Sequence, residues 1–243
     1  MEQPQRQRVQ RVRHELRRRE LVVDSVTPLG DHFVSITFGG AALADFVSLG
    51  FDDHVKFILD TGAGEPMRRD YTPRRYDAQS RQLTIEFALH GEGAASDWAR
   101  QAAPGQAATI GGPRGSMIVP PDLDWHLLVG DATGLPAIRR RLEELPAGTR
   151  AIVVALAAAG DRILPATRAQ LAVHWADDAD ALLASVRALT IPEGEGYAWG
   201  GGEAAMMRRV RDVLVAELGL PKDAMRISAY WKQGAADFHE DLG

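Results

Sequence analysis

Cysteine is absent from all 243 residues, which excludes disulfides, thiolate metal sites, cysteine-ligated iron–sulfur clusters and cysteine nucleophiles. Any redox chemistry would have to be carried by a bound cofactor. Long hydrophobic runs are missing as well. No stretch approaches the roughly 20 apolar residues that span a bilayer, and the seven arginines among the first twenty residues are followed by no apolar core of a secretory signal. The expectation is a cytoplasmic chain with no membrane partner, whose residues 1–20 are a flexible basic N-terminus. Contact of that arm with RNA or acidic lipid is the sharper alternative. A net positive charge is also lacking. With 28 basic and 33 acidic residues the formal charge is −5, which argues against nucleic-acid binding, because the phosphate-backbone term needs a net basic surface. What remains is a globular composition, long enough for one large domain or two of ordinary size.

Two grammars divide the chain. From Leu21 to Met117, short alternating runs such as Phe33-Val34-Ser35-Ile36-Thr37-Phe38 and Leu83-Thr84-Ile85-Glu86-Phe87 are separated by Gly, Pro and Asp, the pattern of an antiparallel barrel or sandwich. After Pro120-Pro121, near-continuous apolar runs (Trp125 to Gly130, Ala151 to Leu156, Leu171 to Trp175, Tyr197 to Gly200) are interleaved with helical stretches. Strands hydrophobic on both faces predict a parallel α/β sheet. The expected domains are therefore residues 21–119, a β-barrel, and residues 120–243, a nucleotide-type α/β domain.

Arg69-Asp70-Tyr71-Thr72-Pro73-Arg74-Arg75-Tyr76-Asp77 combines cations, an aromatic ring and hydroxyls at the end of an expected strand. Such a set could grip one elongated, anionic, aromatic ligand such as a flavin; the alternative is a ribbon whose arginines pair with carboxylates. His90-Gly91-Glu92-Gly93-Ala94-Ala95-Ser96 runs from a strand through two glycines into a helix. Its backbone N–H groups and positive dipole end suit a phosphate, with Ser96 and His90 as added donors. Gly130-Asp131-Ala132-Thr133-Gly134 and Trp199-Gly200-Gly201-Gly202-Glu203 each join a strand to a helix. They place Asp131, Thr133, Gly202 and Glu203 at one sheet edge, where a nicotinamide dinucleotide would sit. Neither is the three-glycine dinucleotide fingerprint, nor a P-loop. Arg114, in a glycine-rich turn, could face the cleft between the domains.

In this order the motifs resemble the siderophore-interacting proteins, FAD-dependent ferric-siderophore reductases of ferredoxin-reductase-like architecture. The resemblance runs from about Val22 to Gly234. It is carried by Asp53-His54-Val55-Lys56, Arg69-Asp70-Tyr71-Thr72-Pro73-Arg74-Arg75, the segment from His90 to Trp98, Pro104-Gly105, Ile110-Gly111-Gly112-Pro113-Arg114-Gly115-Ser116, Gly130 to Ile138, Trp199 to Glu203 and Tyr230-Trp231-Lys232-Gln233-Gly234. It implies a six-stranded antiparallel FAD-binding barrel followed by a parallel-sheet NAD(P)H-binding domain. It further implies that Tyr71 and Thr72 contact the isoalloxazine ring, while Arg69 or Arg74, His90, Ala95 and Ser96 hold the ribityl and pyrophosphate part. The implied reaction releases iron as Fe(II) from a ferric siderophore, using NADPH, NADH or reduced ferredoxin, in a monomer. Lys56, Lys232 and Arg114 are the candidates for attracting the anionic chelate; no side chain acts as acid or base, and no metal site is expected. The family's usual Asp-Glu-Thr-Ala-Leu-Pro is Asp131-Ala132-Thr133-Gly134-Leu135-Pro136 here. The competing readings are a general NAD(P)H-dependent flavin oxidoreductase with another acceptor, and a siderophore- or flavin-binding protein without turnover.

Overall fold

A computed structural model describes residues 8–60, 62, 64–89, 93–235 and 240–242. The N-terminal half contains β1 (Gln10–Arg13), β2 (Arg18–Pro28), β3 (Phe33–Gly39), β4 (Val55–Leu59), β5 (Met67–Tyr71), β6 (Pro73–Asp77), β7 (Gln82–Ala88), α1 (Ala94–Gln101), β8 (Ala107–Gly111) and β9 (Gly115–Ile118). Alternation does the folding here. Leu21 and Val23 on β2, Val34, Ile36 and Phe38 on β3, and Leu83, Ile85 and Phe87 on β7 all point inward, as the period of two requires. Trp98 of α1 closes one end of this core, 4.7 Å from Phe57 and stacked 6.2 Å from Phe38.

Strands β2 to β8 form one antiparallel sheet in the order β5-β4-β8-β2-β3-β7-β6. The two edge strands, β5 and β6, are consecutive in the chain and joined by Thr72 alone. That connection is possible only because the sheet rolls until its edges meet at Thr72. Six strands were expected and seven are present, since the stretch 69–77 is two strands rather than one. Pro73 explains the break: without an N–H it cannot continue a ladder, and it starts an edge strand, where that loss is tolerated. The N-terminal arm also differs from expectation. From Gln10 it is not frayed but forms β1, paired antiparallel with β9.

The second half contains β10 (Trp125–Gly130), α2 (Leu135–Glu144), β11 (Arg150–Leu156), β12 (Gln170–Ala176), α3 (Ala179–Arg187), β13 (Gly196–Glu203), α4 (Ala204–Asp212, continued by a π turn over Val213–Glu217), β14 (Met225–Trp231) and β15 (Glu240–Asp241). Their order is β12-β11-β10-β13-β14-β15, parallel except for β15. β10 is buried along its whole length, which is why it reads as unbroken apolar sequence. Leu182, Leu183, Met207 and Val210 of α3 and α4 cover one face. On the other, α2 packs through Leu135, Ile138 and Leu142 together with Phe33 and Phe51 of the first half.

Helix α2 fastens the two sheets. Arg139 donates to Glu86 Oε2 of β7 (2.7 Å), Arg140 to the carbonyls of Ser48 and Pro73, and Arg141 to those of Val119 and Pro120. Trp199 Nε1 donates to Asp52 Oδ2 at 3.0 Å, and Asp161 accepts from the backbone of Asp31 and His32.

Candidate functional site

A cleft of about 370 Å³ lies where the rolled sheet meets the parallel one. Its walls come from three places. The end of β5 and the Thr72 junction supply Arg69, Tyr71 and Thr72, the start of α1 supplies Gly93, Ala95 and Ser96, and the α/β domain supplies Thr133, Pro136, Tyr230 and Trp231. The rolled topology explains the first group, because the meeting of β5 with β6 opens the barrel wall at this point.

Tyr71 is held edge-on to Phe57 at 6.0 Å and lies 4.3 Å from Phe87. Burial pushes its hydroxyl up to about 12 against the opposing charge of Arg69, so it is a neutral donor across the physiological range. Helix α1 begins with Gly93, which contributes no side-chain cap. A Cβ placed on Gly93 would meet nothing within 4 Å. Among the described residues, no side chain caps the N–H groups of its first turn, which border the cleft, the arrangement that accepts a phosphate. A planar ring against Tyr71 and Thr72, with phosphates at α1 beside Arg69, fits these residues.

Seven of the twelve residues expected at the cofactor line this cleft: Arg69, Tyr71, Thr72, Gly93, Ala95, Ser96 and Thr133. His90 lies outside the described residues. The other four have different work. Arg74 is buried, with Nε 3.0 Å from Glu86 Oε1 and a terminal nitrogen 2.7 Å from Glu143 Oε2, so it ties β6 to β7 and α2 instead of facing the ligand. Asp131 is buried and saturated. Its Oδ1 accepts from Thr133 N and Oγ1 (2.8 and 2.6 Å), and its Oδ2 from Glu203 N and Trp231 Nε1 (both 2.8 Å). Gly202 is glycine because a Cβ there would lie 2.8 Å from Asp131 Oδ2. Glu203 caps α4, its Oε2 accepting from Ala205 N and Met206 N at 2.6 and 3.0 Å. Thr133 lines the cleft, but its hydroxyl is turned to Asp131.

Of the substrate candidates, Lys56 lines the cleft and is paired across β4 and β5 with Asp70 at 2.7 Å. Arg114 lies in a separate cavity of about 310 Å³, with Arg11, Arg13, Arg226 and the carboxylates of Asp52 and Asp53, on the far side of His54, which borders both spaces; Arg226 is paired there with Asp52 at 3.2 Å. Lys232 sits past the end of β14 in a turn that bridges to Ala235 and borders neither cavity. Sequence reasoning missed Glu86 and Arg139 entirely. The only available signal was three successive arginines in an otherwise core-facing helix.

The family model described as "Siderophore-interacting FAD-binding domain" matches residues 60–117, and that described as "Siderophore-interacting protein" matches residues 123–234. The chain is 38% identical to the NADPH-dependent ferric-chelate reductase of Escherichia coli, over 91% of this chain and 96% of that one. It is 30% identical to the ferric vibriobactin reductase ViuB of Vibrio cholerae, over 73% and 69%. Among solved structures, a siderophore utilization protein from T. fusca superposes with a TM-score of 0.86 at 30% identity, covering 95% of this chain and 98% of the other. A rolled antiparallel sheet followed by a parallel sheet is the ferredoxin-reductase-like architecture, shared at fold level with a flavohemoglobin from Malassezia yamatoensis and the Amycolatopsis cytochrome P450 reductase GcoB. With fold, cleft and relatives in agreement along nearly its whole length, this chain belongs to the siderophore-interacting protein family.

Proposed function

We propose that the chain is an FAD-dependent ferric-siderophore reductase that takes electrons from NADPH, NADH or a reduced ferredoxin and releases iron as Fe(II). The observation that carries this reading is the junction at Thr72. It sets a ring wall, an uncapped helix N-terminus and a cation around one cleft, in a chain of this family. Residues 21–119 hold the FAD and residues 120–243 cover it. When bound, FAD supplies the chemistry that the side chains lack, accepting two electrons as hydride and giving them up singly.

The residues perform orientation and charge matching. Tyr71 and Thr72 flank the ring, and Arg69 with the first turn of α1 neutralises the phosphates. Tyr230 and Trp231 close the opposite wall, with the indole N–H of Trp231 fixed by Asp131. Lys56, and Arg114 with Arg11 and Arg13 beside it, present positive charge to an anionic ferric chelate, which is the substrate. Reduction lowers the charge of the iron, and Fe(II) is a poorer match for hard oxygen donors, so it leaves. The protein works as a monomer in the cytoplasm. A protein that purifies yellow, is reduced anaerobically and then yields a trapped Fe(II) signal with ferric catecholates or hydroxamates meets this proposal. Failure to take up flavin refutes it, and so does reduced protein that leaves every ferric chelate intact.

A further inference from the structure

We infer that Asp70 sets the charge selectivity of the cleft: it holds Lys56 as a counter-ion, and a ferric chelate gains that cation only by carrying enough negative charge to draw it away. The inference rests on the ferric-reductase reading above and names a residue that decides which chelates the same site accepts.

Lys56 of β4 and Asp70 of β5 lie directly opposite each other in register, so their side chains share one face of the ribbon. The other face carries Tyr71, opposite Val55 and packed edge-on against Phe57. The ribbon thereby divides its work. Its core face builds the ring wall, while the face with Lys56, Arg68 and Asp70 brings charge to the same cleft.

Among the described residues two carboxylates line the cleft, and they are held differently. Glu86 is bonded on both oxygens, to buried Arg74 and Arg139. Asp70 is bonded on one. Its Oδ2 accepts from Lys56 Nζ at 2.7 Å, while its Oδ1 is buried and, among the described residues, accepts no hydrogen bond. The side chains of Lys56 and Asp70 are 46% and 23% exposed, and an ion pair of such exposure shifts an equilibrium by no more than about fivefold. A ligand can therefore open it.

Charge decides which ligand does. Together the two side chains add no net charge to the cleft. A trianionic chelate outcompetes one carboxylate for the ammonium and gains it, because its attraction for Lys56 grows with its charge. A neutral chelate offers the ammonium less than the carboxylate does, so Lys56 stays on Asp70. Anions of low charge meet the carboxylate as a repelling group, which is how a site discriminates by penalising the wrong partner.

The test is Asp70→Asn in the flavin-loaded protein, which keeps the size of the side chain and removes its charge. Gallium(III) in place of iron keeps the charge and shape of a chelate but is not reduced, so tryptophan fluorescence reads Kd without turnover. At low salt, Kd for a trianionic gallium tris-catecholate is expected to fall about five- to tenfold, as Lys56 is released and a repelling carboxylate is lost. At high ionic strength the change should shrink below about twofold. Kd for a neutral gallium tris-hydroxamate should stay within about twofold of the parent at either salt. Asp223→Asn removes the same charge from an exposed turn that borders neither cavity, and should leave both constants in place. A weaker tris-catecholate complex would mean that Asp70 orients Lys56 for the ligand, and overturns the inference. An unchanged Kd, an equal change for both chelates, or an equal fall in Asp223→Asn overturns it as well. If asparagine prevents folding, seen in flavin content and melting temperature, Asp70→Ser removes the charge with a smaller side chain and repeats the test. A parent holoprotein that releases Fe(II) from no ferric chelate counts against the ferric-reductase reading, whereas a working reductase without the charge-dependent shift counts only against the role given to Asp70.

Discussion

Replacing Glu86 with alanine tests the account of how the two sheets are held around the cleft. Glu86 is 7% exposed and stands between Arg74, at 3.0 Å, and Arg139, at 2.7 Å, which are themselves 7% and 2% exposed. Removing the carboxylate leaves two buried guanidinium groups facing each other, and breaking a buried ion pair from one side costs about 3–5 kcal/mol. Compensation places the value at the lower end. Arg74 keeps Glu143 at 2.7 Å, and Arg139 keeps the carbonyls of Ile163 and Asp161 and the face of Phe33 at 5.0 Å. A loss near 3 kcal/mol in a chain of this length corresponds to roughly 6–12 °C in melting temperature. Thermal and urea unfolding of the holoprotein and of the flavin-stripped protein would read it. Arg74→Met should cost less, because Glu86 then retains Arg139 and Glu143 retains Arg75. The combined variant Arg74→Met, Glu86→Leu, Arg139→Met should recover much of the loss, as apolar replacements of buried ion triads do. A Glu86→Ala protein that melts within about 2 °C of the parent would refute the reasoning.

Three further outcomes follow from the same structure. Arg69→Ala should weaken FAD binding by about 10- to 150-fold, the worth of one charge-assisted contact of roughly 1.5–3 kcal/mol, measured by flavin fluorescence on dilution; full occupancy at low concentration would contradict the role given to it. Burial, reinforced by the charge of Arg141, pushes the imidazole of His126 from 6.5 down to about 3. The unfolded chain therefore binds a proton that the folded one refuses, and folding stability should fall as pH drops below about 6.5, by up to about 1.4 kcal/mol per unit until pH 3. His126→Leu should flatten that slope in urea titrations. Alanine at both Lys56 and Arg114 should raise KM for an anionic ferric catecholate roughly tenfold at low salt, with a smaller effect at high ionic strength. An unchanged KM would remove both residues from the substrate site.

Much of the architecture was legible because it rests on periodicity. Alternating runs from Leu21 to Met117 became the rolled sheet, and the unbroken runs at Trp125 and Ala151 became buried parallel strands, since the burial of each face is written residue by residue. The cleft wall at Tyr71 and Thr72 and the helix start at Gly93 were legible for a similar reason, as each is a local motif. Residues whose chemistry suits a ligand and suits the chain equally were not. Arg74, Asp131 and Glu203 all carry charge at or beside strand ends near the cleft. Only the fold shows that Glu86, Trp231 and the α4 backbone have already claimed them.

By itself, then, the sequence determined the two kinds of sheet, their order along the chain, the need for a bound redox cofactor and the two local elements that frame the cleft. Tertiary structure decided the rest. It set the split of 69–77 into the two edges of one sheet, the fastening of that sheet to α2 through Glu86, and the tie of the β10 end to β13 and β14 through Asp131. The physical reason is distance along the chain. A strand's burial pattern depends on neighbours two residues away, whereas Asp131 finds Trp231 one hundred residues later, and no local pattern records which of two chemically suitable partners a charged group will meet.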